Sequence, residues 1–108
     1  MPDVLRGQIY LALHPDLNEK KYFVVASNNK RNKALDSVLC LRLTTTDKTH
    51  VPTCVALPAN KEGLAGFIVC DDVYLFYKEE LDTPVTALTD STMRDVETAL
   101  KLVFSIRH

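Results

Sequence analysis

Two adjacent cations, Lys20 and Lys21, head a short run of β-branched and aromatic residues, Tyr22-Phe23-Val24-Val25-Ala26, which closes on Ser27-Asn28-Asn29. So short a run, rich in Val and aromatics, predicts a buried strand rather than a helix. The asparagines tolerate left-handed backbone and mark its exit. One rigid strand thus carries a cation at its start and amides at its end. Thr44 and Asp71 lie in other strand-like runs, and neighbouring strands are expected to bring them beside Lys21. The set so gathered is a cation, a hydroxyl and a carboxylate. Arg42 stands two residues before Thr44 and shares its side of one strand. His14 ends the first apolar run, and an imidazole can give or take a proton near neutral pH.

Holding these groups together requires a sheet. Residues 6–13 predict a first strand, with Gly7 allowing a bulge or close approach at its start. Pro15 breaks it, because proline cannot donate to a ladder. The second strand covers residues 21–27, and residues 28–35 read as a mostly polar connection. Residues 37–46 predict a third strand with Cys40, Arg42 and Thr44 on one face and Leu39, Leu41 and Leu43 on the core face. A fourth strand follows over 51–58 and a fifth over 67–71, with 73–77 as a short extension and 78–81 as a single turn. Thr89 reads as an N-cap with Asp90 behind it. Met93, Val96, Ala99, Leu100, Val103 and Phe104 then repeat at three and four, the apolar stripe of a packed helix. About five strands and one C-terminal helix define an α+β domain built on a small curved sheet or half-open barrel.

With 108 residues, 46% of them hydrophobic, the chain is expected to form one domain, residues 1–108, with one core. Three Gly and five Pro argue against disorder or a collagen-like repeat. No signal peptide or membrane span is legible, so a soluble cytoplasmic protein is expected. Cys40, Cys54 and Cys70 are widely spaced, lack a Cys-x-x-Cys pairing, and do not combine with His14, His50 or His108 in ligand spacing. They read as buried structural thiols in a reducing compartment, with no metal. The net charge of −1 gives no global argument for nucleic acid. Yet Lys20, Lys21, Lys30, Arg31 and Lys33 crowd residues 18–33 against Glu19 alone, which predicts a basic patch.

Several segments resemble the MazF/PemK family of toxins from toxin–antitoxin systems. Arg6-Gly7-Gln8-Ile9-Tyr10-Leu11 resembles that family's opening Arg-Gly-Glu-Ile-Trp, and residues 21–28 resemble its Arg-Pro-Val-Leu-Val-Val-Ser-Asn strand. Leu43-Thr44-Thr45 is similar to its Leu-Thr-Ser, and Val69-Cys70-Asp71 followed by Leu81 to its fifth-strand pattern. The helix beginning Leu88-Thr89 and running through Ala99-Leu100 fits as well. The likeness covers nearly the whole chain in order.

The resemblance implies an SH3-like small β-barrel with a C-terminal helix. It implies a homodimer, a cognate antitoxin, and a sequence-specific, metal-independent endoribonuclease of single-stranded RNA that needs no cofactor. Such cleavage uses the RNA's own 2′-hydroxyl. A base takes its proton, an acid protonates the leaving 5′-oxygen, and donors stabilise the charged phosphorane. By the resemblance Lys21 occupies the catalytic Arg position, Thr44 the catalytic Thr and Asp71 an acidic site position. Gln8 stands for a Glu and Val69 for a second Arg. Lysine keeps the charge but lacks the bidentate fork; Arg42 is placed to supply a guanidinium, and His14 a proton. RNA is expected along Gln8, Lys20, Asn28, Lys30, Arg31 and Thr45, with Tyr10, Tyr22 and Phe23 as stacking candidates. Three functions stay open: an RNA-cutting toxin that halts growth, a non-cutting module of the same fold that binds RNA, antitoxin or protein (as CcdB-like gyrase poisons do), and a small barrel of other role.

Overall fold

The computed structural model describes residues 3–107. Six strands form one antiparallel sheet: β1 (Gln8–Ala12), β2 (Lys21–Val25), β3 (Ser37–Thr44), β4 (Cys54–Ala56), β5 (Phe67–Tyr77) and β6 (Thr86–Ala87). Their spatial order is β4-β5-β3-β2-β1-β6. The sheet curls into a half-barrel. Its two ends approach each other, because Leu57, Pro58 and Ala59, just past β4, share a cleft with Ile9, Thr86, Ala87 and Leu88. Two helices, α1 (Asn29–Ala34) and α2 (Asp90–Phe104), and a 3₁₀ turn at Lys78–Glu80 complete the fold.

Both faces of the sheet bury apolar side chains, so its central strands are hydrophobic nearly throughout rather than alternating. On β2, Phe23 and Val25 join a cluster with Tyr10, Ala12, Val38, Cys40 and Phe76, closed by Val4 and Leu81. Val24 points the other way, to Ile9, Leu41, Leu43, Ile68 and Cys70. α2 covers this second cluster with Met93, Val96 and Ala99, spaced at three as a helical stripe requires. Thr89 caps the helix, its hydroxyl accepting from the Thr92 N–H at 3.2 Å. Ser105 ends it in a left-handed conformation, while the Ile106 N–H reaches the Lys101 carbonyl at 2.8 Å.

Three elements differ from expectation. Residues 28–35 are not a plain connection, since α1 forms there. The Asn28 side chain accepts from the Arg31 N–H at 2.9 Å as an N-cap. Asn32, 2% exposed, donates to the Ser27 carbonyl at 2.8 Å. A helix anchored by one buried amide shows no apolar period. The fifth strand and its extension are one 11-residue strand, interrupted by a bulge. β6 has two residues, too few for any period, and exists by pairing with β1.

Gly66 sits at φ +128, in the region side chains avoid, and a Cβ there would lie 2.1 Å from the Thr44 carbonyl oxygen. Its own carbonyl accepts from the Leu57 N–H at 2.9 Å, so it fixes the end of β3 against the entry to β5. Gly66→Ala is expected to destabilise by about 3 kcal/mol, combining a backbone clash with a strained φ. Denaturant titration checks this, and a loss below about 0.5 kcal/mol, typical of a neutral surface change, would refute the fit.

Candidate functional site

The first apolar face does not extend to the ends of its strands. On β2 it runs Val25, Phe23 and then Lys21; on β3 it runs Val38, Cys40 and then Arg42 and Thr44, because side chains alternate and Leu41 and Leu43 belong to the other face. Phe23 pairs with Arg42 and Val24 with Leu41. The ladder between β2 and β3 ends at Phe23 and Arg42; continued by two residues, the same register puts Lys21 in line with Thr44 on this face. The same face continues over β5 and β4, where Thr44 pairs with Phe67, Arg42 with Val69, Phe67 with Ala56 and Val69 with Cys54. Two adjacent rows result. One reads Lys21, Thr44, Phe67, Ala56; the next reads Phe23, Arg42, Val69, Cys54.

Between Leu41↔Val73 and Arg42↔Val69, β5 has three residues, Cys70, Asp71 and Asp72, with no counterpart on β3. This bulge turns Asp72 onto the face. Arg42 Nε donates to Asp72 Oδ2 at 2.8 Å, and the Tyr74 hydroxyl donates to the same oxygen at 3.3 Å. The hydrogen bond to Asp72 is the main cause that raises the Arg42 pKa further. An Nε contact uses the side of a guanidinium and leaves its terminal nitrogens to meet a second anion. Lys21 Nζ lies 2.8 Å from Glu19 Oε1, and the lysine holds the Glu19 carboxyl below its ordinary value. The Thr44 hydroxyl accepts from the Thr46 N–H at 3.2 Å, which leaves its own proton to donate.

The structure therefore brings Lys21, Arg42 and Thr44 together, with exposed Lys20 and Thr45 at the margin. Asp71 is exposed and has no ion-pair partner among the described residues. It lies near enough to raise the Cys54 pKa, behind the larger effect of burial. Asp72, adjacent in sequence, is the acid that reaches Arg42. Only the bulge distinguishes the two, and no local signal announces it.

The other expected site residues lie elsewhere. His14 packs edge-on against Tyr74 and Phe76, with ring centroids 5.0 Å from each. Its Nε2 meets the Leu75 carbonyl at 3.0 Å and its Nδ1 accepts from the Asp16 N–H at 3.1 Å. A carbonyl can only accept, so Nε2 carries the proton and neither nitrogen is free. Gln8 is at the far end of β1, its Oε1 accepting from the Leu5 N–H and the Tyr10 hydroxyl, each at 2.8 Å. Asn28, Lys30 and Arg31 belong to α1 or its cap, beyond the other end of β2, with about 13 Å of strand between. Arg31 is held by the Ser37 carbonyl at 2.9 Å. The basic segment is thus split between two ends of one strand and forms no single patch. Tyr10 and Phe23 belong to the first cluster and are not free to stack, while half-buried Tyr22 packs against the second, on the other face.

The site is an open face. A cavity of about 150 Å³ lies elsewhere, between Tyr10, Val4, Leu81 and Pro84. An open face suits a stretch of polymer better than an enclosed small molecule, and its two cations are each held by an acid, Glu19 and Asp72.

A curled antiparallel sheet with a C-terminal helix and cations on its open face defines the class: a small SH3-like half-barrel. The model of the PemK-like, MazF-like toxins of type II toxin–antitoxin systems matches residues 5–104, and the chain belongs to that family. It is 37% identical over 97 residues, 89% of this chain and 88% of the other, to the endoribonuclease MazF1 of Mycobacterium bovis. It is similar to the solved structure of a mycobacterial endoribonuclease in complex with its cognate antitoxin, with TM-score 0.88, 32% identity and coverage of 97% and 98% of the two chains. A MazE–MazF structure from Deinococcus radiodurans shares the fold, with TM-score 0.81 at 15% identity over 99% and 100% of the chains.

Burial pushes the Cys40 and Cys70 thiols up from 9.0 to about 12. The folded chain then binds more protons than the unfolded one between those values. This stabilisation is complete below pH 9 and falls as pH rises toward 12. At pH 8 a thiol reagent is expected to modify the native protein at half-buried Cys54 alone, and all three cysteines after denaturation. Mass spectrometry of tryptic peptides reads the outcome, and labelling of native Cys40 or Cys70 would contradict it.

Proposed function

We propose that this chain is a toxin endoribonuclease that cuts single-stranded mRNA through attack of the 2′-hydroxyl on the adjacent phosphate, without a metal ion. The convergence of Lys21, Arg42 and Thr44 on one open face carries this reading. Phosphodiester cleavage builds negative charge on the phosphorane oxygens, and fixed donors aimed there are its largest source of stabilisation. Arg42, held from the side by Asp72, offers its terminal nitrogens to a phosphate. Lys21 adds a second charge by leaving Glu19, and Thr44 donates its hydroxyl proton. Asp72 is committed to Arg42, so the 2′ proton falls to Asp71, which like Arg42 lies close enough to Cys54 to shift its pKa, and the leaving 5′-oxygen takes its proton from water. RNA selectivity over DNA follows from the reacting hydroxyl itself.

The same reading assigns the chain a cytoplasmic setting, a homodimeric state and a cognate antitoxin. Support for the antitoxin comes from the mycobacterial relative solved in complex with its own. Val73, Leu75 and Tyr77, all exposed on β5, offer apolar surface for a second chain. Among the described residues, no helix is long and apolar enough to cross a membrane.

Purified protein incubated with a long single-stranded RNA in EDTA is expected to give fragments with 5′-hydroxyl ends. Arg42→Ala and Lys21→Ala are each expected to lower kcat/KM by about 10²-fold, the scale of losing one fixed donor to developing charge. Intact RNA at enzyme excess would remove the nuclease reading and leave a binding module. Multi-angle light scattering at micromolar concentration is expected to show a dimer; a monomer mass alone would reject that part.

A further inference from the structure

We propose that Phe67 is the platform on which a base of the bound RNA stacks, one strand away from the phosphate being cut. The inference rests on the nuclease reading of this face and adds the group that holds the nucleobase. Phe67 pairs directly with Thr44 on β3 and with Ala56 on β4, so its ring rises from the same face as the Thr44 hydroxyl. Adjacent strands lie about 4.8 Å apart, a separation of the order of that between a nucleotide's phosphate and its base. The ring is half-buried and belongs to neither apolar cluster. Its outer neighbour, Ala56, is exposed and offers only a methyl group, too small to cover it.

The competing aromatics near this end of the strands are already engaged, and exposed Tyr77 lies at the far end of β5, opposite Ser37. Phe23 packs against Tyr74 and Phe76 at centroid distances of 5.3 and 4.7 Å. Tyr10 hydrogen-bonds Gln8 at the far end of β1, and Tyr22 faces the helix side. A flat apolar ring beside cations is the arrangement that binds single strands, where the backbone is held by charge and bases by stacking. Lys21, Thr44 and Phe67 form that sequence across three strands: cation, hydroxyl, ring.

The chain contains no tryptophan, so Phe67→Trp introduces a single fluorescent reporter at the site. The probes are a short single-stranded 2′-O-methyl oligoribonucleotide, which cannot be cut, and an abasic strand of the same length and charge. Quenching by the base-bearing strand but not by the abasic one is expected. Equal quenching by both, or none by either, would overturn the proposal. Phe67→Leu preserves apolar bulk without an aromatic face, and is expected to melt near the wild-type temperature while raising KM for RNA about tenfold or more, with a smaller change in kcat. An unchanged KM would overturn the proposal even if the tryptophan variant fails to fold. If the wild-type protein cuts no RNA, the nuclease reading falls, yet the quenching comparison still decides whether Phe67 holds a base.

Discussion

Between Leu41 and Arg42 the ladder joining β3 to β5 changes register, and β5 inserts Cys70, Asp71 and Asp72 where β3 inserts nothing. A bulge of this kind bends its strand and re-aims the side chains at it. Its first consequence is architectural. The early part of β5 pairs outward with β4, while the later part carries Tyr74 and Phe76 into the aromatic cluster with Phe23 and His14. Its second consequence is chemical, because Asp72 comes within hydrogen-bond reach of Arg42. Without the bulge, one of two adjacent acids would point to each side of the sheet.

Use of both faces of the sheet constrains everything else. A strand buried on both sides cannot host polar groups along its middle, where each would require a partner. Charge can enter only where a strand runs past its apolar cluster. Lys21 is one residue pair beyond Phe23, and Arg42 and Thr44 lie beyond Cys40 on the same face. The site is therefore a boundary between a packed core and an open rim. Phe23, Cys40 and Tyr74 pack behind the charged groups. Asp72 holds Arg42 from the side at 2.8 Å. Under the proposed nuclease reading, a guanidinium so held stands in for the fork that Lys21 lacks.

Several residues with reactive side chains serve the fold instead. His14 spends both ring nitrogens on backbone groups. Buried Cys40 and Cys70 are held protonated by their surroundings. Arg6 donates from Nε to the Ala26 carbonyl at 2.9 Å and from Nη1 to Glu97 at 3.0 Å, tying the entry of β1 to the exit of β2 and to α2. Arg31 and Asn32 do similar work, tying α1 to the start of β3 at Ser37 and to Ser27 just past β2. His14, Arg6, Arg31 and Asn32 thus spend their polar atoms on joining elements of the fold.

The sequence by itself determined the main strands, the C-terminal helix, its Thr89 cap and the family, because apolar period and capping chemistry are local and the family's motifs are short and ordered. It also put Arg42 and Thr44 on one face, since alternation along a single strand is local too. Which strands lie side by side, and in what register, depends on contacts between residues far apart in the chain. Only the tertiary structure could therefore bring Lys21 in line with Thr44, divide the basic segment between two ends of β2, or place Phe67 next to the site. The choice of Asp72 over Asp71 has the same origin, since a bulge is a mismatch between two strands and neither strand alone records it.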